Sequence, residues 1–381
     1  MHRLVALDLP GGNAFLTALQ ACFAAGDAVL PVDQRLPKPA AARLFSELCP
    51  SVVIDEAGEH HLEGGRGIDD GDALVMPTSG TSGTPKGVVL THAALAASAA
   101  ATSARLGIDP ARDRWLCCLP LSHVGGMSVV TRALATNTPV ELHAGFDVND
   151  VTAAVQSGIS LVSLVSTALF RLDRATIDAL RVIVLGGSAP PEELPDNVVT
   201  TYGLTESGSG VVYDGGPLDG VDGEISDDGE ILLRGPMLLR AYRDGTDPKD
   251  SRGFLPTGDL GAFGTDGQLM VFGRREDVIV SGGEKIWPTP VEQLLLKHPS
   301  INEVAIVGVP DAEWHQRAVA CVVAAPGAAV DLAELRELVR GELGSVHAPR
   351  ELQLFDELPR TSLGKLRRAE LSAAVLARSA T

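Results

Sequence analysis

The sequence predicts an α/β fold with a large multi-sheet N-terminal domain, a β-rich subdomain and a small α+β C-terminal domain. Three observations predict it. Apolar runs typical of buried strands alternate with Ala- and Leu-rich stretches typical of helices over residues 1–273. Short apolar runs between Gly, Asp and Pro turns replace that alternation over residues 214–270. A charged segment at residues 273–277 then precedes a new pattern of helices and strands.

The N-terminal elements follow from these patterns in chain order. Strands are predicted at residues 28–30, 52–54, 73–76, 88–90, 114–119, 161–164 and 181–185. Helices are predicted at residues 14–25, 40–48, 92–106 and 148–156. The β-rich subdomain has predicted strands at residues 230–233 and 268–272. We expect these elements to form one domain of residues 1–274.

The C-terminal region begins with a predicted helix near Thr289. Thr289 and Glu292 have the spacing of a capping box, and Pro290 suits a first helical turn. Strands at residues 304–309 and 319–324 and a helix at residues 332–343 follow. We expect residues 275–381 to form a small domain, since about 105 residues suffice for one. The short charged boundary before it is typical of a hinge, so this domain is predicted to be mobile.

Composition and charge restrict the class of protein. A hydrophobic fraction of 45% and a charged fraction of 21% fit a soluble globular enzyme. The net charge of −18 disfavours a nucleic acid or an anionic membrane as partner. Five cysteines without a C-x-x-C pair predict reduced thiols in a cytoplasmic protein. Residues 1–12 do not resemble a secretion signal, and no apolar stretch is long enough to span a bilayer. A homodimer is left open.

Residues 78–87 form a Gly-, Ser- and Thr-rich loop between two predicted strands. Its glycines let successive backbone N–H groups face one anion, and Lys86 adds a positive charge. Lysine accounts for only six of the 31 basic residues, so its use here suggests that an ammonium is needed. The spacing and the flanking strands differ from those of a Walker loop. The loop therefore predicts a phosphate site, and a flexible surface turn is the alternative.

The loop at residues 78–87 resembles the signature loop of the adenylate-forming superfamily of acyl-CoA synthetases, luciferases and peptide-synthetase adenylation domains. Further signatures of this superfamily follow in its order at residues 119–123, 186–189, 201–206, 257–259, 273–277 and 359–365. The resemblance implies a large N-terminal domain and a small mobile C-terminal domain. It also implies an ATP-dependent acid:CoA ligase, which adenylates a carboxylate and then transfers the acyl group to coenzyme A, with Mg²⁺ as cofactor.

The resemblance also implies the catalytic residues. Lys365 would supply positive charge to the acyl carboxylate and the α-phosphate. A solvated basic tail is the alternative, since Arg367 and Arg368 follow. Glu206 would be the magnesium ligand, and Thr205 would hydrogen-bond the phosphate or the carboxylate.

The remaining residues of the superfamily signatures would bind ATP or coenzyme A, or form the hinge. One of them, Asp259, would bind the ribose, and the alternative is that it is an exposed residue of a turn. Phosphate binding is implied for Thr78, Ser79, Gly80, Thr81, Ser82, Gly83, Thr84 and Lys86. Adenine and ribose binding is implied for Gly186, Gly187, Ser188, Tyr202, Asp259 and Arg274. The coenzyme A tunnel is implied for Gly282 and Gly283, and the hinge for Arg275 and Glu276.

Two stretches bear on the acid. Residues 120–132 resemble the equivalent run of o-succinylbenzoate:CoA ligases of menaquinone biosynthesis. Residues 201–207 with 212–221 resemble the compact actinobacterial-type form of those enzymes. Such an acid has a second, aromatic carboxylate that needs polar partners in an apolar pocket. Candidates for the acyl pocket are His123, Ser207, Ser209 and Arg132, although His123 also fits a core histidine and Arg132 a helix face.

Three alternative functions stay open. The acid could instead be another aryl or fatty acid, or the chain could be a free-standing acid-adenylating enzyme that needs no coenzyme A. A non-catalytic nucleotide-binding or scaffold protein is the third alternative. It is disfavoured because both Glu206 and Lys365 are present.

Overall fold

The structure is a computed structural model that describes residues 2–79, 85–188, 190–191, 193–360 and 366–379. Its helices are α1 (Asn13–Ala25), α2 (Lys38–Leu48), α3 (His92–Leu106), α4 (Val124–Thr136), α5 (Val148–Gln156), α6 (Ser166–Leu169), α7 (Arg174–Ala179), α8 (Pro288–Leu295), α9 (Leu332–Leu343) and α10 (Arg368–Ser379). Its 3-10 turns are Thr205–Ser207, Arg275–Asp277 and Ser345–His347.

The strands alternate with these helices in the first half of the chain and dominate its middle. They are β1 (Leu4–Leu7), β2 (Ala28–Pro31), β3 (Val52–Asp55), β4 (Gly58–His61), β5 (Asp72–Ser79), β6 (Pro85–Thr91), β7 (Trp115–Cys117), β8 (Val140–Leu142), β9 (Leu161–Leu164), β10 (Val182–Leu185), β11 (Val198–Leu204) and β12 (Ser209–Tyr213). They continue as β13 (Gly216–Pro217), β14 (Asp222–Ile225), β15 (Glu230–Arg234), β16 (Ala241–Tyr242), β17 (Leu255–Phe263), β18 (Leu269–Arg274), β19 (Ile279–Ser281), β20 (Glu284–Ile286), β21 (Ile301–Asp311), β22 (His315–Ala324) and β23 (Glu351–Leu354).

The chain divides into two compact units. The first contains Met1–Glu224 and Leu232–Pro256, and the second contains Ile225–Ile231 and Thr257–Thr381. The predicted β-rich subdomain, which contains β14 to β18, is therefore divided between the two units. The boundary predicted between residues 274 and 275 separates a fixed domain from a mobile one. It therefore differs in kind from the division into compact units, and it stays a prediction.

Two seven-stranded sheets form the scaffold of the first unit. In the first sheet the order is β16-β6-β5-β2-β1-β3-β4, and in the second it is β13-β12-β11-β10-β9-β7-β8. The central strands run parallel, as in β1–β2 and β9–β10, and β5 and β6 form an antiparallel hairpin. β11 and β12 are also antiparallel, with a register shift between Tyr202 and Gly203. The hairpin carries the predicted phosphate residues Thr78, Ser79 and Lys86, and β11 carries the predicted adenine residue Tyr202.

Local sequence signals explain the helix limits in the first unit. α3 begins after Thr91, whose Oγ1 accepts a hydrogen bond from the backbone N of Ala94 at 3.1 Å. It ends at Gly107, which adopts the left-handed conformation with φ 57°. Asp147 caps α5 in the same way by accepting bonds from the backbone N of Asn149 and Asp150. These caps explain why the predicted limits of both helices match the structure.

The C-terminal part of the second unit, from β19 onward, is a mixed sheet with helices on both faces. β21 pairs antiparallel with β22, and β23 adds in parallel to β22. Because side chains alternate along a strand, Val304 and Ile306 pack with α8 and α9 on one face. Ala305 and Val307 pack with α10 on the other face. This arrangement confirms the α+β character predicted for the C-terminal region.

The structure confirms the predicted α/β fold with its β-rich middle and corrects several details. The predicted capping box of Thr289 and Glu292 is wrong, because α8 starts at Pro288 without a side-chain cap. The strand predicted at residues 114–119 is limited to β7. Among the elements that the prediction missed are β1, α4, α7 and α10. No helix within the described residues is long and apolar enough to cross a membrane.

Candidate functional site

The predicted phosphate loop connects the two strands of the β5–β6 hairpin. Thr78 pairs with Lys86 and Ser79 with Pro85 at the open end of the ladder. The hydroxyl of Thr78 lies 3.4 Å from the carbonyl oxygen of Lys86. This confirms the two strands predicted on either side of the loop. The loop residues predicted to bind phosphate that lie outside the described residues are Gly80, Thr81, Ser82, Gly83 and Thr84.

A tyrosine that the sequence analysis did not single out links this hairpin to the predicted magnesium ligand. The hydroxyl of Tyr242 donates a hydrogen bond of 3.0 Å to Oε1 of Glu206. The Nζ of Lys86 lies 5.1 Å from the centroid of the same ring. Burial and the adjacent Glu206 charge raise the pKa of Tyr242 well above its ordinary value, so the phenol stays a donor. The ammonium of Lys86, the neutral phenol of Tyr242 and the carboxylate of Glu206 are thus neighbours in that order.

The turn after β11 presents Thr205 and Glu206. Both side chains are half-buried, as is that of Tyr202 in β11. The hydroxyl of Ser207 is fully buried and accepts a bond from the backbone N of Leu204 at 2.8 Å. It also donates to the carbonyl of Ser209 at 2.8 Å. Ser207 therefore holds the shape of the turn, and its hydroxyl is already occupied by the backbone.

Arg132 is a buried arginine whose guanidinium is only partly hydrogen-bonded by the described residues. It lies on α4, is 2% exposed, and donates from Nη2 to the hydroxyl of Ser209 at 3.1 Å. Its guanidinium carbon lies 5.0 Å from the centroid of the Trp115 ring. Nε and Nη1 have no hydrogen-bond partner among the described residues. Burial lowers the pKa of Arg132 below its ordinary value.

His123 stands at the N-terminal end of α4. Its side chain is 36% exposed, and Nε2 lies 4.0 Å from Oδ2 of Asp33. Burial alone would raise the pKa of Asp33, but hydrogen bonds from Arg35 and the charge of His123 hold it below its ordinary value. His123 is therefore not a core histidine, since it faces a carboxylate at a partly open position.

The glycine-rich turn after β10 lies beside β11. A Cβ at Gly186 would lie 2.7 Å from Oγ1 of Thr201, so only glycine fits there. Gly187 has a φ of 88°, which also favours glycine. The hydroxyl of Ser188 lies 3.4 Å from that of Ser166. Gly186 and Gly187 thus bring the backbone close to the strand that carries Tyr202.

In the second unit, the two predicted ribose residues contact each other. Nε of Arg274 lies 3.1 Å from Oδ1 of Asp259, across the β17–β18 ladder that pairs these residues. Asp259 is 5% exposed, and Nη1 of Arg274 also donates to the carbonyl of Thr257 at 3.1 Å. Both residues were predicted from the sequence, and the structure places their side chains in contact.

The other predicted residues of the second unit lie on turns. Gly282 and Gly283 form the tight turn between β19 and β20 with φ of 61° and 85°. Arg275 and Glu276 begin the 3-10 turn after β18. Arg275 pairs with Asp228 at 2.8 Å and with Glu230 at 2.9 Å. Lys365 lies outside the described residues.

Metal binding at Glu206 would need oxygen atoms from the ligand. Among the described residues, no cluster of three or more His, Cys, Asp or Glu side chains could hold a metal ion alone. One carboxylate with phosphate oxygens and waters is the donor set that Mg²⁺ takes beside a nucleotide. Oε2 of Glu206 is not used by the Tyr242 bond, so the residue fits this role.

Comparisons with known proteins agree with these features. The family model described as "AMP-binding enzyme" matches residues 66–243, and "AMP-binding enzyme C-terminal domain" matches residues 290–365. A relative from Mycobacterium tuberculosis named "Probable 2-succinylbenzoate--CoA ligase" is 38% identical over 87% of this chain and 93% of its own length. A 2-succinylbenzoate–CoA ligase from Bacillus licheniformis is 36% identical over 85% of this chain and 72% of its own length.

Solved structures of one enzyme from Bacillus subtilis are also similar. Its o-succinylbenzoate CoA synthetase in complex with the acyl-adenylate intermediate aligns with a TM-score of 0.84 and 28% identity, over 97% of this chain and 88% of that chain. The same enzyme in complex with ATP and magnesium ion gives a TM-score of 0.84 over 97% and 89% of the two chains.

Proposed function

The chain belongs to the AMP-binding enzyme family, and from this premise we propose that it is an ATP-dependent acid:CoA ligase for 2-succinylbenzoate. The family and the two-part α/β fold expected from the sequence are confirmed by the family models and the structural similarity. The proposed reaction has two steps. The acid carboxylate attacks the α-phosphate of ATP and pyrophosphate leaves. The thiol of coenzyme A then attacks the acyl-adenylate, and AMP leaves.

The observation that carries the choice of acid is the incomplete pairing of Arg132. A buried guanidinium loses its hydration, and only paired, hydrogen-bonded charges recover that loss. Within the described part of the chain, Ser209 and the face of Trp115 are its only partners, and both are neutral. A carboxylate on the substrate would supply the missing acceptor and the missing charge.

The acid named for the relatives fits this arrangement. 2-Succinylbenzoate carries an aliphatic carboxylate on the succinyl chain and an aromatic carboxylate on the ring. We assign the aromatic carboxylate to Arg132 and Ser209, with Trp115 contributing apolar surface beside the guanidinium. The aliphatic carboxylate is then the one that is activated. His123 at the start of α4 lines the same proposed acyl pocket.

Two anions must approach each other in the first step, so positive charge near the phosphates lowers the barrier. Lys86 is exposed and forms no ion pair within the described residues, so its ammonium is available to a phosphate. We propose that Thr78, Ser79 and Thr205 donate hydrogen bonds to the phosphates and that Glu206 holds Mg²⁺. Bound magnesium neutralises phosphate charge and helps pyrophosphate to leave.

The remaining roles are proposals from the superfamily pattern. Tyr202 with Gly186, Gly187 and Ser188 would bind adenine, and Asp259 with Arg274 would bind ribose. Lys365 would contact the reacting carboxylate and the α-phosphate. The left-handed turn at Gly282 and Gly283 has no side chains, which suits the close passage of the pantetheine arm of coenzyme A. Arg275 and Glu276 would form the hinge.

The proposed location is the cytoplasm. ATP and coenzyme A are available there, and all five cysteines are free thiols in the structure. The proposed partners are the small-molecule substrates, with a homodimer left open, and the net charge of −18 disfavours nucleic acid.

An acid screen by ATP–pyrophosphate exchange, with and without coenzyme A, tests the proposal. We expect 2-succinylbenzoate to support exchange and coenzyme A to be required for sustained AMP release. Exchange with octanoate or benzoate but not with 2-succinylbenzoate would reject the proposed acid. AMP release at the same rate without coenzyme A would identify a free-standing adenylating enzyme instead.

A further inference from the structure

One short segment of the first unit bonds to both halves of the proposed phosphate and magnesium site. We call residues 239–243 the strap; it includes β16. The backbone N of Leu239 donates to the carbonyl of Glu206 at 2.7 Å. The backbone N of Arg240 and of Arg243 donate to the carbonyls of Val89 and Gly87 on β6, at 2.9 Å and 2.7 Å. The strap thus fixes the turn of Glu206 against the hairpin of Lys86.

Two arginines anchor the strap on the scaffold of the first unit. Arg240 makes two bonds to the buried carboxylate of Asp72, at 2.8 Å and 2.9 Å, at the start of β5. Arg243 donates to the carbonyls of Leu48 at 3.1 Å and Gly67 at 2.7 Å. The side chain between them, that of Tyr242, therefore projects from a segment held at both ends.

The structure assigns Tyr242 as a positioning residue that keeps the charges of Glu206 and Lys86 apart and available for magnesium–ATP; this rests on the proposed function. The hydroxyl satisfies one oxygen of Glu206 with a neutral donor. The ring face attracts the ammonium of Lys86. Glu206 and Lys86 form no ion pair with each other among the described residues.

The arrangement matters because a direct ion pair would occupy both charges. A carboxylate paired with an ammonium binds a divalent cation less well, and the paired ammonium attracts a phosphate less well. Tyr242 gives each charge a neutral partner, so the two charges do not neutralise each other before ATP arrives. The charge of Lys86 also acts on the carboxylate of Asp244 and helps to lower its pKa. Loss of the hydroxyl should therefore weaken Mg²⁺ binding at Glu206. Loss of the whole ring should also weaken ATP binding.

Two variants separate these effects. Tyr242→Phe keeps the ring and removes the hydroxyl, and Tyr242→Leu removes both. Tyr213→Phe is the control, because it removes another hydrogen-bonded tyrosine hydroxyl, the buried one that lies 3.3 Å from the hydroxyl of Thr102 on α3. The readouts are the Mg²⁺ concentration for half-maximal ATP–pyrophosphate exchange and the affinity for Mg·ATP by calorimetry without any acid.

We expect Tyr242→Phe to raise the half-saturating Mg²⁺ concentration about tenfold, the size expected for one hydrogen bond to a charged group. Its maximal rate at saturating Mg²⁺ should change much less. Tyr242→Leu should in addition weaken Mg·ATP binding further than Tyr242→Phe. Tyr213→Phe should leave the Mg²⁺ dependence unchanged.

The inference is overturned if Tyr242→Phe keeps both the Mg²⁺ dependence and the Mg·ATP affinity of the wild type. It is also overturned if Tyr213→Phe shifts them equally, because the effect would then be general. If Tyr242→Leu does not fold, Tyr242→Phe decides alone. If the wild type shows no exchange with any acid, the proposed function fails, and the calorimetric comparison still decides the role of Tyr242.

Discussion

Two arginines, the half-buried Arg368 in the second unit and the buried Arg132 in the first, differ in how many of their partners the protein itself supplies. Arg368 at the start of α10 donates to both oxygens of Glu292 at 2.6 Å and 2.8 Å and to the carbonyl of Ile306 at 2.8 Å. Its Nε lies 3.1 Å from Asp277. Among the described residues, the guanidinium of Arg132 in the first unit contacts the hydroxyl of Ser209 and the ring of Trp115, and Nε and Nη1 have no hydrogen-bond partner.

The pKa directions follow from this difference. Burial would lower the pKa of Arg368, but the bonds with Glu292 and Asp277 raise it above the ordinary value. For Arg132, burial lowers the pKa, and within the described part of the chain the smaller opposing effect comes from Tyr213 rather than from a carboxylate. A buried arginine with its partners supplied by the protein is part of the fold. A buried arginine without them fits a site whose partner arrives with the substrate.

The largest effect should come from Arg368→Met. The change leaves the half-buried carboxylates of Glu292 and Asp277 without their cation, which should cost about 3–4 kcal/mol, the lower part of the range for a broken buried pair. Urea unfolding of the wild type and the variant measures this loss. A loss below about 1 kcal/mol, the range of exposed pairs, would contradict the structural role of Arg368.

The next effect concerns Lys365, three residues before Arg368 in the sequence. Lys365 is proposed to stabilise charge that develops in the transition state. Lys365→Ala should therefore raise the activation free energy of adenylation by about 3 kcal/mol, the size expected for one transition-state donor. It should largely spare thioester formation from supplied acyl-adenylate and leave the stability unchanged. Equal losses in both half-reactions would reject this role.

The smallest effect should be that of Arg132→Met on stability. Replacing an unpaired buried charge by an apolar side chain should leave the free energy of unfolding unchanged or raise it by about 1 kcal/mol. The same urea series used for Arg368→Met checks it. If Arg132→Met destabilised the protein as strongly as Arg368→Met, the contrast between the two arginines would be lost.

The parts of the fold that depend on local signals could be predicted from the sequence. α3 and α9 have their predicted limits because a capping Thr91 or Asp331 precedes each and a glycine follows. The strands on either side of residues 78–87 could be predicted because apolar runs typical of strands flank that loop. The family signatures named the residues of the site because each signature is continuous in the sequence.

The parts that depend on distant contacts could not be predicted. Glu292 has the spacing of a capping box with Thr289, yet its carboxylate accepts from the backbone N of Ile306 and from Arg368. Arg368 follows Lys365 in what also fitted a solvated tail, and its partners lie 76 residues away at Glu292. Tyr242 lies 36 residues from Glu206 and reaches it only because β16 pairs with β6. The one sequence signal for Tyr242 was the scarcity of tyrosine, with three in the chain.

The central claim is that Arg132 is reserved for the second carboxylate of the acid. The most direct test compares wild type and Arg132→Met on 2-succinylbenzoate and on 3-benzoylpropionate, which lacks only the aromatic carboxylate. We predict that the variant loses about 2 kcal/mol, roughly 30-fold in kcat/KM, with 2-succinylbenzoate and less than about threefold with 3-benzoylpropionate. Equal losses with both acids would contradict the claim, because Arg132 would then act without the aromatic carboxylate.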